Sequence, residues 1–213
     1  MVLTHEDREL NWKGDPKVAV IPNPVEVRHG HISSLEKKRI IAVGRLVLLK
    51  NFASLVKAFS LVAMRHPDWQ LDIFGDGPEK SRLQTLITSL GLDDKVRLRG
   101  NTNRVIEEMV DSSMLAMTSK FEGFGVVLIE AMSVGLPVVS YAYPCGPKDI
   151  ITDGEDGFLV NPGKEEEMAE KICYLIEDES MRQRMGINGL KKASRFALDK
   201  VIWQWMELFQ ELS

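Results

Sequence analysis

Cysteine is scarce in this chain. There are two among 213 residues, Cys145 and Cys173, with neither a C-x-x-C pair nor a histidine at metal-ligand spacing. No zinc site or disulfide framework is expected, and a reducing compartment suits such a sequence. Basic excess is also missing: the net charge is -4 and the pI near 5.7. The cations are scattered among acids rather than gathered into a stripe interleaved with aromatics, which argues against a nucleic-acid module. Apolar runs such as "LVLL" at 46–49 fall short of the roughly 20 residues that span a bilayer. The opening "MVLTHEDREL" has neither a basic nor an apolar leader region, so no signal peptide is expected. No G-x-x-x-x-G-K-[ST] loop occurs. In "FGDGPEK", Lys80 stands where a dinucleotide fingerprint needs its third small residue, so that segment reads as a plain turn.

What is present is a 44% hydrophobic chain, enough for one substantial core. From Arg39 onward, short β-branched runs alternate with stretches of helical period, the mark of βαβ units and a parallel sheet. "RIIAV", "WQLDIFG", "KVRLRG", "MLAMTS" and "PVVS" read as strands, and "GFLV" closes "PKDIITDGEDGFLV" as a last one. Between them, "NFASLVKAFSLVAMRH" places Phe52, Leu55, Val56, Phe59 and Ala63 at helical spacing, and "EKSRLQTLITSLG" aligns Leu83, Leu86, Ile87 and Leu90. A short helix is expected near "RVIEEMV", another from about Val126 to Val134, and the chain beyond Lys164 is read as helical. "VIWQWMELFQEL" puts Trp203, Met206 and Phe209 nearly in line, more bulky apolar surface than a tail needs. The front reads as strand "MVLT", helix "HEDRELNW" and strand "KVAVIPNPV", then a polar linker "EVRHGHISSLEKK".

In an open parallel sheet, ligands bind where strand-to-helix loops converge. After "RIIAV", Gly44 permits a tight turn while Arg45 and Lys50 bring two cations that suit a diphosphate or are solvated surface charges. After "MLAMTS", Gly123 and Gly125 let backbone amides approach a ligand at the start of the next helix, where an anion is expected. Glu122 precedes that turn, either as a ligand contact or as a complement to the helix dipole. Glu130 follows eight residues later, slightly more than two helical turns on, and so faces the same crevice. Its neighbours in "VVLIEAMSV" are nearly all apolar, so the carboxylate needs a partner, and a vicinal diol would serve.

"VGRLVLLKN", "IFGDGPE", "EGFGVVLIEAMSVGLPVVS" and "ITDGEDGFLV", in this order and spacing, resemble the donor-binding C-terminal half of a family 4 retaining glycosyltransferase of GT-B fold. The resemblance covers Ile40 to Val160 closely and the flanks loosely. It implies an α/β, Rossmann-like parallel sheet flanked by helices that binds a UDP-hexose or UDP-N-acetylhexosamine, for transfer to a glycan or lipid-linked acceptor in bacterial polysaccharide synthesis. By position, Arg45 and Lys50 would bind the diphosphate and, with Glu122, carry the catalytic roles. Gly44 and the amides of Gly125, Val126 and Val127 would assist. Glu130 would hold the ribose hydroxyls, Glu122 with the Gly123–Phe124 backbone the sugar hydroxyls, and the backbone at Gly100 and Asn101 the base.

The resemblance also implies no metal or other cofactor, in keeping with the lack of a D-x-D motif in a plausible loop. It implies front-side attack by the acceptor without an enzyme nucleophile. "YAYPCGPKDII" is close to a C-P-x-G-P-[KR]-[DE]-I-I pattern, but here the cysteine follows the proline; Cys145 then either lines the site or is a small buried thiol. On this reading residues 1–37 are the remnant of an N-terminal acceptor domain with its linker, 38–196 the donor domain, and 197–213 a helix crossing back. A fragment of this kind is expected to be inactive alone and cytoplasmic. Peripheral contact of "MRQRMGINGLKKASR" with a membrane competes with a plain solvated face. The other classes left open are a catalytically silent nucleotide-sugar-binding module and a GT-B epimerase; no motif marks the pyridoxal phosphate lysine of a phosphorylase.

Overall fold

The computed structural model describes residues 1–26 and 31–212; part of the expected linker, residues 27–30, lies outside the described residues. Strand β1 (Arg39–Val43) leads through a 3-10 turn at 48–50 into α2 (Phe52–Arg65). The alternation continues with β2 (Gln70–Phe74), α3 (Lys80–Ser89), β3 (Val96–Gly100) and α4 (Val105–Val110). Then come β4 (Met114–Met117), α5 (Val126–Ser133), β5 (Val138–Tyr141), α6 (Pro147–Ile150) and β6 (Gly157–Val160). Helices α7 (Glu165–Glu177), α8 (Glu179–Ala193) and α9 (Leu198–Glu211) end the chain, and α1 (His5–Trp12) opens it.

The six strands form one parallel sheet, as the alternation predicts; their order is β3-β2-β1-β4-β5-β6, reversing between β1 and β4. A parallel sheet covered on both faces needs strands that are apolar on both faces, and β1 supplies this directly. Successive side chains of β1 point to opposite faces, so Ile40 and Ala42 join Phe59, Leu71 and Ile73 in one core layer, while Ile41 joins Leu115, Ile129 and Met132 in the other. In α2, Phe52, Leu55, Val56 and Phe59 are buried, as their spacing predicts, but the last buried position is Val62 and not Ala63, which is only partly covered. In α3 only Leu83 and Ile87 are buried, and Leu90 falls outside the helix as its exposed cap, because the helix ends at Ser89.

One charged group interrupts the apolar layer. Asp72, in β2, is 1% exposed; Arg39 Nε lies 2.7 Å from its Oδ2, an ion pair at an angle short of a hydrogen bond, and Arg99 donates to the same oxygen at 2.9 Å. Arg39 also donates to Glu108 at 2.6 Å. Two arginines thus neutralise a carboxylate that burial would otherwise strongly disfavour.

Several expectations change. The front runs do not form strands: they meet in one parallel bridge, Val2 with Val20, and Val25 makes another with Ala197, neither of which is extended into a strand. Ser33 and Leu35 of the polar "linker" are buried, Ser33 Oγ donating to the Ser112 carbonyl at 2.6 Å. Two cations of the expected solvated face on α8 turn inward. Arg182 is 7% exposed and donates to the carbonyls of Leu35, Leu175 and Ile176, and Lys192 donates to Thr152 at 2.6 Å. Cys145 is half-buried rather than buried. In α9 only Val201 is buried, while Ile202, Trp203, Met206 and Phe209 remain exposed.

Asp72→Ala is expected to lower stability by about 3 kcal/mol, because it removes the buried partner shared by two arginines and leaves Arg39 with Glu108 alone. Lys38→Ala, which breaks an exposed pair with Asp68, should cost under about 1 kcal/mol. Urea unfolding checks both, and equal losses would show that the Asp72 cluster contributes no more than a surface pair.

Candidate functional site

Parallel pairing aligns the carboxyl ends of all six strands along one edge, and the loops that leave them enclose a cavity of about 620 Å³ beside the β1/β4 reversal. Gly44, Arg45 and Lys50 arrive from β1, Phe74 and Gly75 from β2, Asn101, Thr102 and Val105 from β3, and Glu122 to Val127 with Glu130 from β4 and α5. Of the twelve residues singled out in the sequence, eleven line this one cavity. Gly100 does not: it lies just behind Asn101, its carbonyl accepting the Gly75 N–H at 2.8 Å.

The β1 and β2 loops cross unusually closely. A Cβ on Gly75 would lie 1.9 Å from the Gly44 carbonyl oxygen, which only glycine permits. The "GDG" turn therefore serves the site by packing, setting the loop that carries Arg45. Arg45 is exposed and has no ion-pair partner among the described residues. Lys50 pairs with Glu122, and Ser119 Oγ donates to the same Glu122 oxygen at 2.7 Å. Thus Lys50 and Glu122, assigned separate ligand roles by position, here hold each other.

Helix α5 starts at a left-handed Gly125, φ 102°, with no side-chain cap. The first turn's amides at Val126 and Val127 therefore lack a capping acceptor and lie at the cavity wall, where the helix dipole adds partial positive charge. This geometry revises the spacing argument: Glu122 is not on the helix, and it shares the cavity with Glu130 because Gly125 folds the turn back. Phe124 is 3% exposed with its ring 6.0 Å from Phe196, which leaves its backbone to the cavity. Glu130 is half-buried at the wall, and desolvation raises its carboxyl above the ordinary value. A cleft with two cations, free helix amides and a desolvated carboxylate can grip an anion at one end and hydroxyl groups at the other.

Leu3 and Asn23 also line the cavity, from the front segment. No local pattern marks them, since only the packing of α1 against the domain brings them there. Val43 and Phe74 were readable in principle, as the last residues of β1 and β2. Cys145 is not among the lining residues. Among the described residues no helix is long and apolar enough to cross a membrane.

The family model for glycosyl transferases group 1 matches residues 26–192. The chain is 41% identical along its whole length to an exopolysaccharide phosphotransferase of Streptomyces coelicolor, covering 23% of that protein. It is 35% identical over 80% of its length to the poly(glycerol-phosphate) alpha-glucosyltransferase of Bacillus subtilis, covering 25% of it. Among solved structures, TarM of S. aureus in complex with fondaparinux, alpha-GlcNAc-glycerol and UDP superposes with a TM-score of 0.88 at 25% identity, over 98% of this chain and 43% of that one. The chain thus spans about a quarter of these two curated relatives and under half of the solved one.

Burial raises the Glu130 carboxyl, so the neutral form is favoured in the folded state. The stability this contributes is complete below the ordinary glutamate value of 4.5 and is lost as pH rises through the elevated one. Glu130→Gln removes that dependence. Urea midpoints of the two proteins, taken from about pH 4 to 7, should diverge in favour of the variant as pH rises, and parallel curves would sink the assignment.

Proposed function

Because the chain belongs to the glycosyl transferases group 1 family, we propose that it is the donor-binding half of a retaining glycosyltransferase. Its donor is a UDP-linked hexose or N-acetylhexosamine and its acceptor a glycan, a polyol-phosphate polymer or a lipid-linked saccharide of polysaccharide synthesis. The observation that carries this reading is the convergence of Arg45, Lys50, the free α5 amides and the desolvated Glu130 on one cavity at the sheet's reversal point. The printed names of the relatives supply its chemical class: one curated relative is named for glucosyl transfer to poly(glycerol-phosphate), another for N-acetylglucosaminyl transfer to poly(ribitol-phosphate). Solved relatives carry UDP, in one case with GlcNAc.

In this reading the diphosphate sits against the N-terminus of α5 and competes with Glu122 for Lys50, while Arg45 grips it as a fork. Released from Lys50, Glu122 turns to the sugar hydroxyls, and Glu130 accepts from the ribose diol. Asn101 and its neighbours meet the base. The bond from the anomeric carbon to the diphosphate oxygen breaks as the acceptor oxygen attacks from the same face, and the acceptor proton passes to the departing phosphate. The negative charge that develops there is met by two cations and a helix terminus, the task a metal ion performs elsewhere, so the reading calls for none. Transfer needs an N-terminal domain to orient the acceptor and exclude water, and this half alone binds donor without turning it over. A cytoplasmic site of action, beside a membrane where the acceptor is lipid-linked, goes with that chemistry.

Calorimetric titration with UDP and uridine tests the reading. UDP should bind saturably and uridine much more weakly. Arg45→Ala should weaken UDP by about 1.5–3 kcal/mol and leave uridine almost unchanged, the scale of a charge-assisted hydrogen bond. Glu130→Ala should weaken both by a similar amount. Saturable binding of neither compound, or equal losses for both on Arg45→Ala, would reject the diphosphate site.

A further inference from the structure

The front segment is tied to the loop between β5 and α6 by a reciprocal set of contacts. Asp149, in α6, accepts the first backbone amides of α1, His5 N–H at 2.7 Å and Glu6 N–H at 3.3 Å. In return Glu6, on α1, accepts the backbone N–H of Cys145 at 2.6 Å with one oxygen and the Lys148 ammonium at 2.9 Å with the other. The Glu6 side chain is only 17% exposed, so its bond to the Cys145 amide is partly shielded from competing water, whereas Lys148 lies open to it.

What Glu6 holds is an unfavourable backbone. Cys145 has φ 64°, the left-handed region that a side chain disfavours, and a bond to its amide is the kind of outside support such a residue requires. Gly146, the next residue, presses on the donor turn: a Cβ there would lie 2.5 Å from the Phe124 carbonyl oxygen and 2.8 Å from the Tyr143 ring. The Tyr143 hydroxyl in turn lies 3.5 Å from that same carbonyl, and a Cβ on Gly125 would come within 2.4 Å of it. Contact is therefore continuous from Glu6 through Cys145 and Gly146 to the Phe124–Gly125 peptide, which precedes the free amides of α5.

We propose that Glu6 is a positioning residue: by fixing the left-handed Cys145 it presses Gly146 against Phe124 and sets the turn whose amides receive the donor phosphate. The seating of the front segment thereby controls whether the donor site is formed. Its significance for catalysis rests on the donor-binding reading above, whereas the mechanical link itself does not.

Amide hydrogen exchange of the whole chain, read at Leu128, whose N–H donates to the Gly125 carbonyl at 2.9 Å, tests the link without ligand. In Glu6→Ala this amide should exchange at least about fivefold faster while those of β1 and β2 stay unchanged. Adding Cys145→Gly, which adopts the left-handed conformation without penalty, should restore exchange to within about twofold of the parent. Unchanged exchange at Leu128 in Glu6→Ala overturns the proposal. So does fast exchange that Cys145→Gly fails to rescue, because the effect would then come from lost α1 packing and not from the Cys145 backbone. Should Glu6→Ala not fold, Glu6→Gln, which keeps a neutral acceptor but loses the ion pair with Lys148, should give an intermediate rate, with a parental rate counting against the link. UDP affinity measured on the same proteins should fall with faster exchange and recover with the rescue. A parent chain that binds no UDP rejects the donor reading alone, since the exchange rates still decide the link.

Discussion

All the groups that matter here depend on the parallel register of six short strands, because it delivers the loop after each strand to the same edge. β1 and β4 lie side by side although five other helices and strands separate them in the chain, and the connections that leave them run to opposite sides. The gap between those connections is the cavity. Nothing in the loops themselves would bring Arg45 to within one cleft of Glu130 without that pairing.

Within the cleft the backbone contributes as much as the side chains. Gly75 passes against Gly44 where no other residue fits, and Gly125 turns the chain so that a helix begins uncapped at the cavity wall. An uncapped terminus leaves polar groups unsatisfied and is tolerated where a ligand or water completes them. The desolvated Glu130 is a second group held away from its preferred solvation. A protein selected for stability alone would have capped the helix and moved the acid outward.

The front segment is the less expected part. Read alone it looks like a strand, a helix and a strand, yet it holds on by the bridge of Val25 with Ala197, a helix-end capped by Asp149 and the grip of Glu6 on Cys145. It also lends Leu3 and Asn23 to the cavity wall. The turn before α5 and the seating of the front segment are thus connected through a few hydrogen bonds.

The sequence by itself determined the layer architecture and most of the site. Strands buried on both faces must be apolar throughout and helices must repeat their apolar positions, so β1, α2 and their successors are legible, as are glycines next to charges at strand ends. Tertiary structure decided the rest. Whether "KVAVIPNPV" becomes a strand depends on a neighbour to pair with, and whether Arg182 faces water depends on the Leu35 carbonyl, 147 positions away, as well as on two nearer ones. The pairing of Lys50 with Glu122 and the grip of Glu6 on Cys145 join residues 72 and 139 positions apart. Local periodicity carries no information about such contacts, because they follow from how complete elements pack and not from the propensity of any one of them.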